Sequence, residues 1–580
     1  FLYTCASLTY CRPDQRDALL EFKSEFELRN PPEFLDEFIY DYLVPVDVNS
    51  WANSSDCCYW DGITCDVTSG VVIGVDLTFS CLHGHFKPNS SLFGLRHLQD
   101  LNLAYNDFNA SPIPSGFNKL MGLRRLNLSH SWFSGQIPPE NLHLTKLVSL
   151  GLSSCFNLSQ SRPLFIEKPF LVQLAQNLTK LRHLYMSYVN ISPEIPQMIS
   201  NLTSLRSIHL HKCHLFGRLP LNALLSPAIK SIDLSTNPYL ESYLPELNGS
   251  NSLVLVYLDL SETSLSGNIP DSIGNLKHLN VLKIQDSNIT GKIPISIVSL
   301  SHLTSLILSS SKLSGSLPSS IGNLSYLNTL SLSSNNFAGE IPSSIQNLNR
   351  LTYVDVGNNE FTGTLPPNIN SLSNLEYFDA SLNFFLSGPL EIGNISSMSK
   401  LRELDLSQND LTGPIPSTLF TIPSLETILI HIQTKFVNLV YLDLTYFKTQ
   451  EPFDFGIFWH LKLLKVLFLS HLNATTTIDL NILLSSHLKS LTTLGLSGNH
   501  VSPRNMSSVS ILSSQLNRLE MSDCEAVDLS NNNLSVPHCL NALIKRSLSA
   551  LNLGGNHLGG KLADIFLNGS FQDLSLIALV

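Results

Sequence analysis

The chain has 580 residues, of which 43% are apolar and only 14% charged, and its formal net charge is −11. The negative balance argues against nucleic acid as a partner, because phosphate binding needs a basic patch. The apolar content argues against a disordered chain, and no run of eighteen or more consecutive apolar residues supplies a membrane-spanning helix.

Residues 1–10, FLYTCASLTY, are apolar with small residues and too short to cross a membrane, so they read as the tail of a secretory signal. Asn-x-Ser/Thr sequons point the same way, since a glycan needs a surface position in a secreted protein. They fall at Asn53, Asn89, Asn109, Asn127, Asn157, Asn177, Asn190, Asn201, Asn248, Asn288, Asn323, Asn394, Asn473, Asn505, Asn533 and Asn568, although a repeat that writes NLS and NLT produces some of them as a by-product.

Residues 11–70 read as an N-terminal cap. Cys11, Cys57, Cys58 and Cys65 cluster there, within CRPDQ and DCCYWDGITC. Adjacent cysteines do not readily pair with each other, so two bridges to separate partners are expected, with the connectivity open. Each bridge contributes roughly 2–4 kcal/mol. A zinc site is the alternative, but no histidine lies at finger-like spacing beside these cysteines. Asp14 is placed to cap a helix beginning near Gln15, with Asp17 in its first turn. Leu19, Phe22 and Phe26 then share one face and seal the apolar end of the repeats. Val72, Val75 and Leu77 supply the first strand.

Residues 71–425 repeat. Units open at Leu98, Leu123, Leu147, Leu181, Leu205, Ile229 and Leu255, then every 24 residues at Leu279, Leu303, Leu327, Leu351 and Leu375, and finally at Leu401 and Leu425. The consensus opening is LxxLxLxxN, and the regular units continue into a Gly-x-Ile/Leu-Pro turn such as GKIPISIVSL. A strict period in this range marks a solenoid, so one continuous core replaces the roughly four domains expected from length alone. The middle of LxxLxLxx forms a short strand with its leucines inward, each worth about 1.5–3 kcal/mol when fully buried. The Asn position turns inward, where its amide bonds the buried backbones of neighbouring turns. That ladder reads Asn106, Ser131, Cys155, Val189, Cys213, Asn237, Thr263, Ser287, Ser311, Asn335, Asn359, Asn383 and Asn409, which makes Cys155 and Cys213 (and later Cys524) buried ladder thiols rather than reactive ones. The Gly-x-Ile-Pro segment predicts a second short strand and a single 3₁₀ turn. The long step from Leu147 to Leu181 holds an insertion at about 156–176, expected as a loop outside the stack.

Residues 426–580 are degenerate. Leu439 follows Leu425 after 14 residues, and LNRLEMSDCEAVDLSNNNLS reads as two units fused without the residues between them. No closing cap follows the last unit, so the chain is expected to be a truncated piece.

CRPDQRDALLEFKSEF, DCCYWDGITC and the tandem LxxLxLSxNxLxGxIPxxIxNL units resemble plant cell-surface leucine-rich-repeat proteins over nearly the whole chain. The Cys57–Cys58 doublet and degenerate repeats such as FDFGIFWHLKLLKVLFLS are most similar to the receptor-like proteins of that group. The resemblance implies an α/β repeat solenoid, a right-handed leucine-rich-repeat superhelix. A parallel β-sheet would line its concave face, short 3₁₀ turns its convex side, and a helical disulfide-bonded cap its N-terminus. It implies bridges Cys11–Cys57 and Cys58–Cys65. It also implies a ligand-binding ectodomain at the extracellular face of the plasma membrane, many relatives serving in pathogen perception and others in development. The ligand would be an extracellular peptide, glycan or protein, and the signal would pass through a partner leucine-rich-repeat receptor kinase. The membrane anchor belongs to a longer parent. A polygalacturonase-inhibitor-like soluble inhibitor and the ectodomain of a receptor kinase are the competing readings.

Ligand contacts in such a solenoid come from the outward strand positions, occupied here by Tyr185, Tyr188, His209, His211, Lys212, Tyr257, Lys283, Asp286, Tyr353 and Tyr377. Aromatic and charged side chains there are typical anchors. His209-Leu-His211 puts two imidazoles on one strand face, but no third ligand lies nearby, so no metal is expected. No G-x-S-x-G elbow, P-loop or dinucleotide fingerprint occurs, so no catalytic residue and no cofactor is assigned. The aspartates of the LDLS segments are set by the repeat and carry no acid–base argument.

Overall fold

The computed structural model describes residues 10–29, 46–154, 163–191, 194–219, 221–247, 253–366, 369–389 and 400–412, with short segments around the strands beyond. It divides into two compact units, residues 1–303 and 304–580.

The first unit opens with a helix, Pro13–Ser24. It starts two residues earlier than the Asp14 cap predicts. Pro13 takes the first helical position, where its fixed φ is already helical and its missing N–H costs nothing. Arg12 is the cap residue, Asp14 lies within the first turn, and Asp17 lies beyond it. Leu19 and Phe22 are fully buried. Phe26, just past the helix end, joins Phe22, Phe86 and Phe108 with ring centroids 5.2–5.9 Å apart. Buried Gln15 accepts a 2.8 Å hydrogen bond from the Val72 N–H, which ties the cap to the first strand. Cys11 is bonded to Cys57 and Cys58 to Cys65.

Strand Val72–Asp76 pairs antiparallel with Ile63–Cys65 of the cap and parallel with Asp100–Asn102. Arg125–Asn127, Ser149–Gly151, His183–Tyr185, Ser207–His209, Ser231–Asp233, Tyr257–Asp259 and Val281–Lys283 continue the parallel sheet one strand per repeat. The register is strict: Leu184, Ile208, Ile232, Leu258 and Leu282 stand side by side, each at most 2% exposed. This aligned apolar row is what the LxxLxL spacing encodes. Every unit-opening leucine from Leu98 to Leu303, and Ile229 among them, is likewise buried.

A second set of parallel strands begins at or just after the ladder residue, among them Phe216–Arg218, Asn237–Tyr243, Thr263–Asn268 and Asn288–Gly291. Single 3₁₀ turns such as Asp271–Asn275 and Ile295–Ser299 come next, each entered through a proline. The insertion departs from the expected outside loop. Residues 155–162, including Cys155, lie outside the described residues, but Leu164–Ile166 is a strand of the second sheet and Lys168–Asn177 is a helix. Leu164 and Ile166 alternate inward, and Phe170, Leu171 and Leu174 bury one helix face, so the extra residues enlarge the stack.

The second unit repeats the plan. Ser305–Ile307, Thr329–Ser331, Tyr353–Asp355, Tyr377–Asp379, Glu403–Asp405 and Thr427–Leu429 are parallel and in register. Despite the shortened spacing, Tyr441–Asp443 pairs directly with Thr427–Leu429. Near Glu520 the described residues supply one strand to each sheet. Arg518–Glu520 continues the first sheet, whereas Ala526–Val527 pairs with His500–Ser502 in a second sheet. Leu519 and Val527 are eight positions apart, against seven from Leu494 to Val501, and residues 528–549, where most of the second fused unit is expected, lie outside the described residues. In the second sheets, Gly339 has φ 81°, and a Cβ there would meet only the Ser316 Cβ at 3.5 Å, so backbone conformation rather than crowding requires glycine.

The residue before each ladder position adopts a conformation the sequence does not announce. Tyr105, His130, Tyr188, Lys212, Thr236, Glu262 and Asp286 all have φ between 50° and 63°, as do Ser310, Ser334, Asn358, Leu382 and Gln408 of the second unit. A left-handed L-residue costs about 1–2 kcal/mol, offset here by the ladder bonds that the bend permits.

Candidate functional site

The ladder fixes where the strand face ends, and so which side chains stand on it. Asn237 donates through Nδ2 to the Leu210 and Leu234 carbonyls at 2.9 and 2.8 Å, and its Oδ1 accepts from the Cys213 and Leu215 N–H groups, both at 3.0 Å. On rungs without asparagine, Ser131 Oγ donates to the Leu103 carbonyl and Cys213 Sγ to the Met186 carbonyl. Burial pushes the Cys213 thiol up to about 12, so it stays protonated and inert. Val189 fills its rung with no polar side chain and is fully buried. Cys524 lies outside the described residues.

With inward positions taken by the apolar row, the first and third residues of each three-residue strand face outward. In the first unit Tyr185, His209, Tyr257 and Lys283 occupy such positions, all half-buried. They touch one another. The His209 ring stands edge-on to Tyr185 at 5.0 Å and lies 6.3 Å from Tyr257. His209 Nε2 is 2.8 Å from Ser231 Oγ, while His211 Nδ1 is 2.8 Å from Ser235 Oγ. The two imidazoles of His209-Leu-His211 thus turn to separate serines. Burial holds His209 below the ordinary imidazole range, against the pull of Asp233. Tyr188, Lys212 and Asp286 stand beyond the strand ends, in the left-handed bends; the Lys212 ammonium lies 5.9 Å from the Tyr188 ring, and Asp286 is exposed.

Lys283 closes a local triad. Tyr257 donates through its hydroxyl to Asp259 Oδ2 at 3.1 Å; Lys283 Nζ lies 3.8 Å from the same oxygen and 5.9 Å from the Tyr257 ring.

In the second unit Tyr353 and Tyr377 stack face to face, 4.5 Å apart and 5° from parallel. Two residues along each strand stand Asp355 and Asp379, in register with each other, and Asp379 is in register with Asp405. Sequence reasoning passes over these aspartates because each matches the repeat. What distinguishes them is a Tyr-x-Asp pair recurring after 24 residues, at Tyr353 and Tyr377. Burial raises Asp355 and lifts Asp405 from the ordinary 3.8 to about 6, with Asp379 and Asp443 adding repulsion at Asp405 and its bonds from Ser407 opposing.

The Asp405 shift has a stability consequence. Its carboxyl holds a proton to higher pH when folded than when unfolded, so its contribution is full below about pH 4 and is lost as pH rises through about 6. The urea midpoint of the wild-type chain relative to Asp405→Asn should therefore fall between pH 4 and pH 6.5. A difference that stays flat across this window would contradict the assignment.

The exposed sequon asparagines among the described residues are Asn53, Asn89, Asn109, Asn201, Asn288 and Asn323; Asn127, Asn177 and Asn190 are half-buried. Asn127 stands on the strand face itself, where its Oδ1 accepts from the Ser129 N–H. Asn157, Asn248, Asn394, Asn473, Asn505, Asn533 and Asn568 lie outside the described residues. The sulfurs of Cys11, Cys57 and Cys58 cluster with Asp56 at metal-like distances, but all three are committed to disulfides.

Comparison with known proteins agrees with this architecture. Family signatures described as leucine rich repeat N-terminal domain, leucine-rich repeat region and leucine rich repeat match residues 12–66, 244–337, and 350–372 with 400–422. Receptor-like protein 6 of Arabidopsis thaliana is 53% identical over 290 residues, which are 49% of this chain and 29% of that protein, so the match spans less than a third of the relative's length. The crystal structure of a TDR receptor shares 26% identity with a TM-score of 0.65, covering 89% of this chain and 86% of that one. The ectodomain of the Arabidopsis receptor kinase HAESA, solved with an IDA peptide hormone ligand, shares the fold at 24% identity and a TM-score of 0.62, covering 97% and 98%. No helix among the described residues is long and apolar enough to cross a membrane.

Proposed function

Because this chain belongs to the plant leucine-rich-repeat receptor-like proteins, we propose that it is the ligand-binding ectodomain of a cell-surface receptor. It acts in pathogen perception and signals through a partner receptor kinase. The observation that carries the reading is the row of mutually touching, half-buried rings at outward strand positions, Tyr185, His209 and Tyr257 in one unit and Tyr353 and Tyr377 in the other. Rings held by their neighbours lose little freedom on binding, which is what makes aromatic side chains effective anchors. An extended peptide is the ligand this face suits, since its side chains can alternate between ring surfaces and the polar groups beside them. The protein works by binding and not by catalysis. It resides at the extracellular face of the plasma membrane, with glycans on exposed sequons such as Asn53, Asn201 and Asn323.

The secreted chain can be panned against a displayed library of random peptides. Replacing His209, Lys212 and Tyr257 together with alanine should weaken the recovered peptides about 100-fold, as expected when anchor side chains of a central cluster are lost. Unchanged affinity, or a library that yields no binder, would refute this placement of the ligand.

A further inference from the structure

The two units solve the same local problem in opposite ways. In the first, Tyr257 and Asp259 stand two residues apart on one strand, and the position in register with Asp259 on the next strand is Lys283. Its ammonium sits 3.8 Å from the carboxylate and 5.9 Å from the tyrosine ring, so the Tyr-Asp pair is a cradle already filled by a cation from the chain itself. In the second unit the same pair occurs on two neighbouring strands, Tyr353 with Asp355 and Tyr377 with Asp379. There, the position that Lys283 holds in the first unit is occupied by another aspartate: Asp379 beside Asp355, and Asp405 beside Asp379.

Parallel strands lie about 4.8 Å apart, so these carboxylates form a like-charge row on a half-buried surface, an arrangement unfavourable on its own. Glu403, in register with Tyr377, adds a further acid at the edge. Hydrogen bonds from the Gly357, Ser381 and Ser407 N–H groups, and from the Ser333 and Ser407 hydroxyls, hold Asp355, Asp379 and Asp405 in place without neutralising them. Among the described residues no ion pair reaches any of the three. The stacked Tyr353 and Tyr377 rings wall one side of the row.

We propose that this Tyr-Asp ladder of the second unit is a docking face for a cationic peptide segment, whose arginine or lysine side chains take the place that Lys283 takes over Tyr257 and Asp259. A guanidinium or ammonium set there pairs with two adjacent carboxylates and covers a tyrosine ring, supplying the charge complement that the row lacks. The inference rests on the strand face being the ligand-binding surface and adds the chemical class of what that face selects.

The test uses the secreted full chain and three labelled probes, peptides alternating serine with arginine, with lysine or with glutamate, followed by fluorescence anisotropy at low salt. The arginine and lysine peptides should bind and the glutamate peptide should not, with affinity falling as salt rises. Asp379→Lys, which copies the filled cradle of the first unit, should weaken the arginine peptide at least about tenfold while leaving the melting temperature equal or higher. The combined Asp355→Asn, Asp379→Asn and Asp405→Asn change should do the same, whereas Asp233→Asn in the first unit should have little effect. Undiminished arginine-peptide binding in both variants, or equal binding of the glutamate peptide, would overturn the proposal. If library-selected peptides lose affinity on the first-unit triple substitution but the arginine probe ignores Asp379→Lys, the cation site fails and the receptor reading stands. If the arginine probe responds as expected while selected peptides ignore both faces, the receptor reading fails and the cation site stands.

Discussion

Replacing Asn383 with alanine should destabilise the second unit by roughly 3–5 kcal/mol, among the largest single-residue effects in the chain. Asn383 is fully buried. Its Nδ2 donates to the Val356, Ala380 and Ser381 carbonyls at 3.0–3.1 Å, and its Oδ1 accepts from the Phe361 N–H at 3.1 Å. Alanine leaves these backbone groups buried without partners and opens a small void where the amide stood. Aspartate is nearly isosteric yet should be no better, because it replaces the donor with a buried charge. A urea titration followed by circular dichroism would measure the loss. Ser131→Ala, on a rung whose hydroxyl donates to the Leu103 and Ser129 carbonyls, is the mild comparison at about 1 kcal/mol. Equal effects of the two substitutions would mean that the ladder does not hold the repeats together.

Replacing Cys11 and Cys57 together with serine should cost about 4 kcal/mol on the loop-entropy account, because the bridge closes a separation of 46 residues. The Cys58–Cys65 bridge spans only 7 residues, and its removal should cost about 2 kcal/mol. The larger effect has a structural route. The long bridge anchors the start of the cap helix, which carries Leu19 and Phe22 onto the apolar end of the stack and Gln15 to the Val72 N–H. Without it the helix should fray and expose that end, so limited proteolysis near residues 12–24 should rise before the repeats melt. A cap that resists protease as well without the bridge as with it would contradict this role.

Most of the architecture is legible in the sequence because the repeat makes one physical demand many times. Leucines at the first, fourth and sixth positions can be buried together only by parallel strands in register, and an amide at the ninth only by turning inward. The left-handed residue before each ladder position is not legible, since Lys212, Leu382 and Thr236 share no side-chain property. The conformation is imposed by the bend that the ladder bonds need. The insertion escapes a reading by period for a related reason: PLFIEKPFLVQLAQ breaks the 24-residue count, and only the burial of Leu164, Ile166, Phe170 and Leu174 shows it inside the stack. The aromatic part of the proposed ligand face is legible from outward strand positions. Its acidic part is not, because Asp355, Asp379 and Asp405 each look like consensus until register sets them side by side.

Hydroxyl-radical footprinting of the secreted chain, with and without a library-selected peptide, tests the central claim most directly. The account predicts that the strand-face tyrosines of the unit the peptide occupies, Tyr185 and Tyr257 in the first or Tyr353 and Tyr377 in the second, lose reactivity when peptide is bound. Tyr239 in a second-sheet strand and Tyr326 beside a 3₁₀ turn, both exposed, should react as before. Protection of Tyr239 or Tyr326 with no change at the four strand-face tyrosines would contradict it.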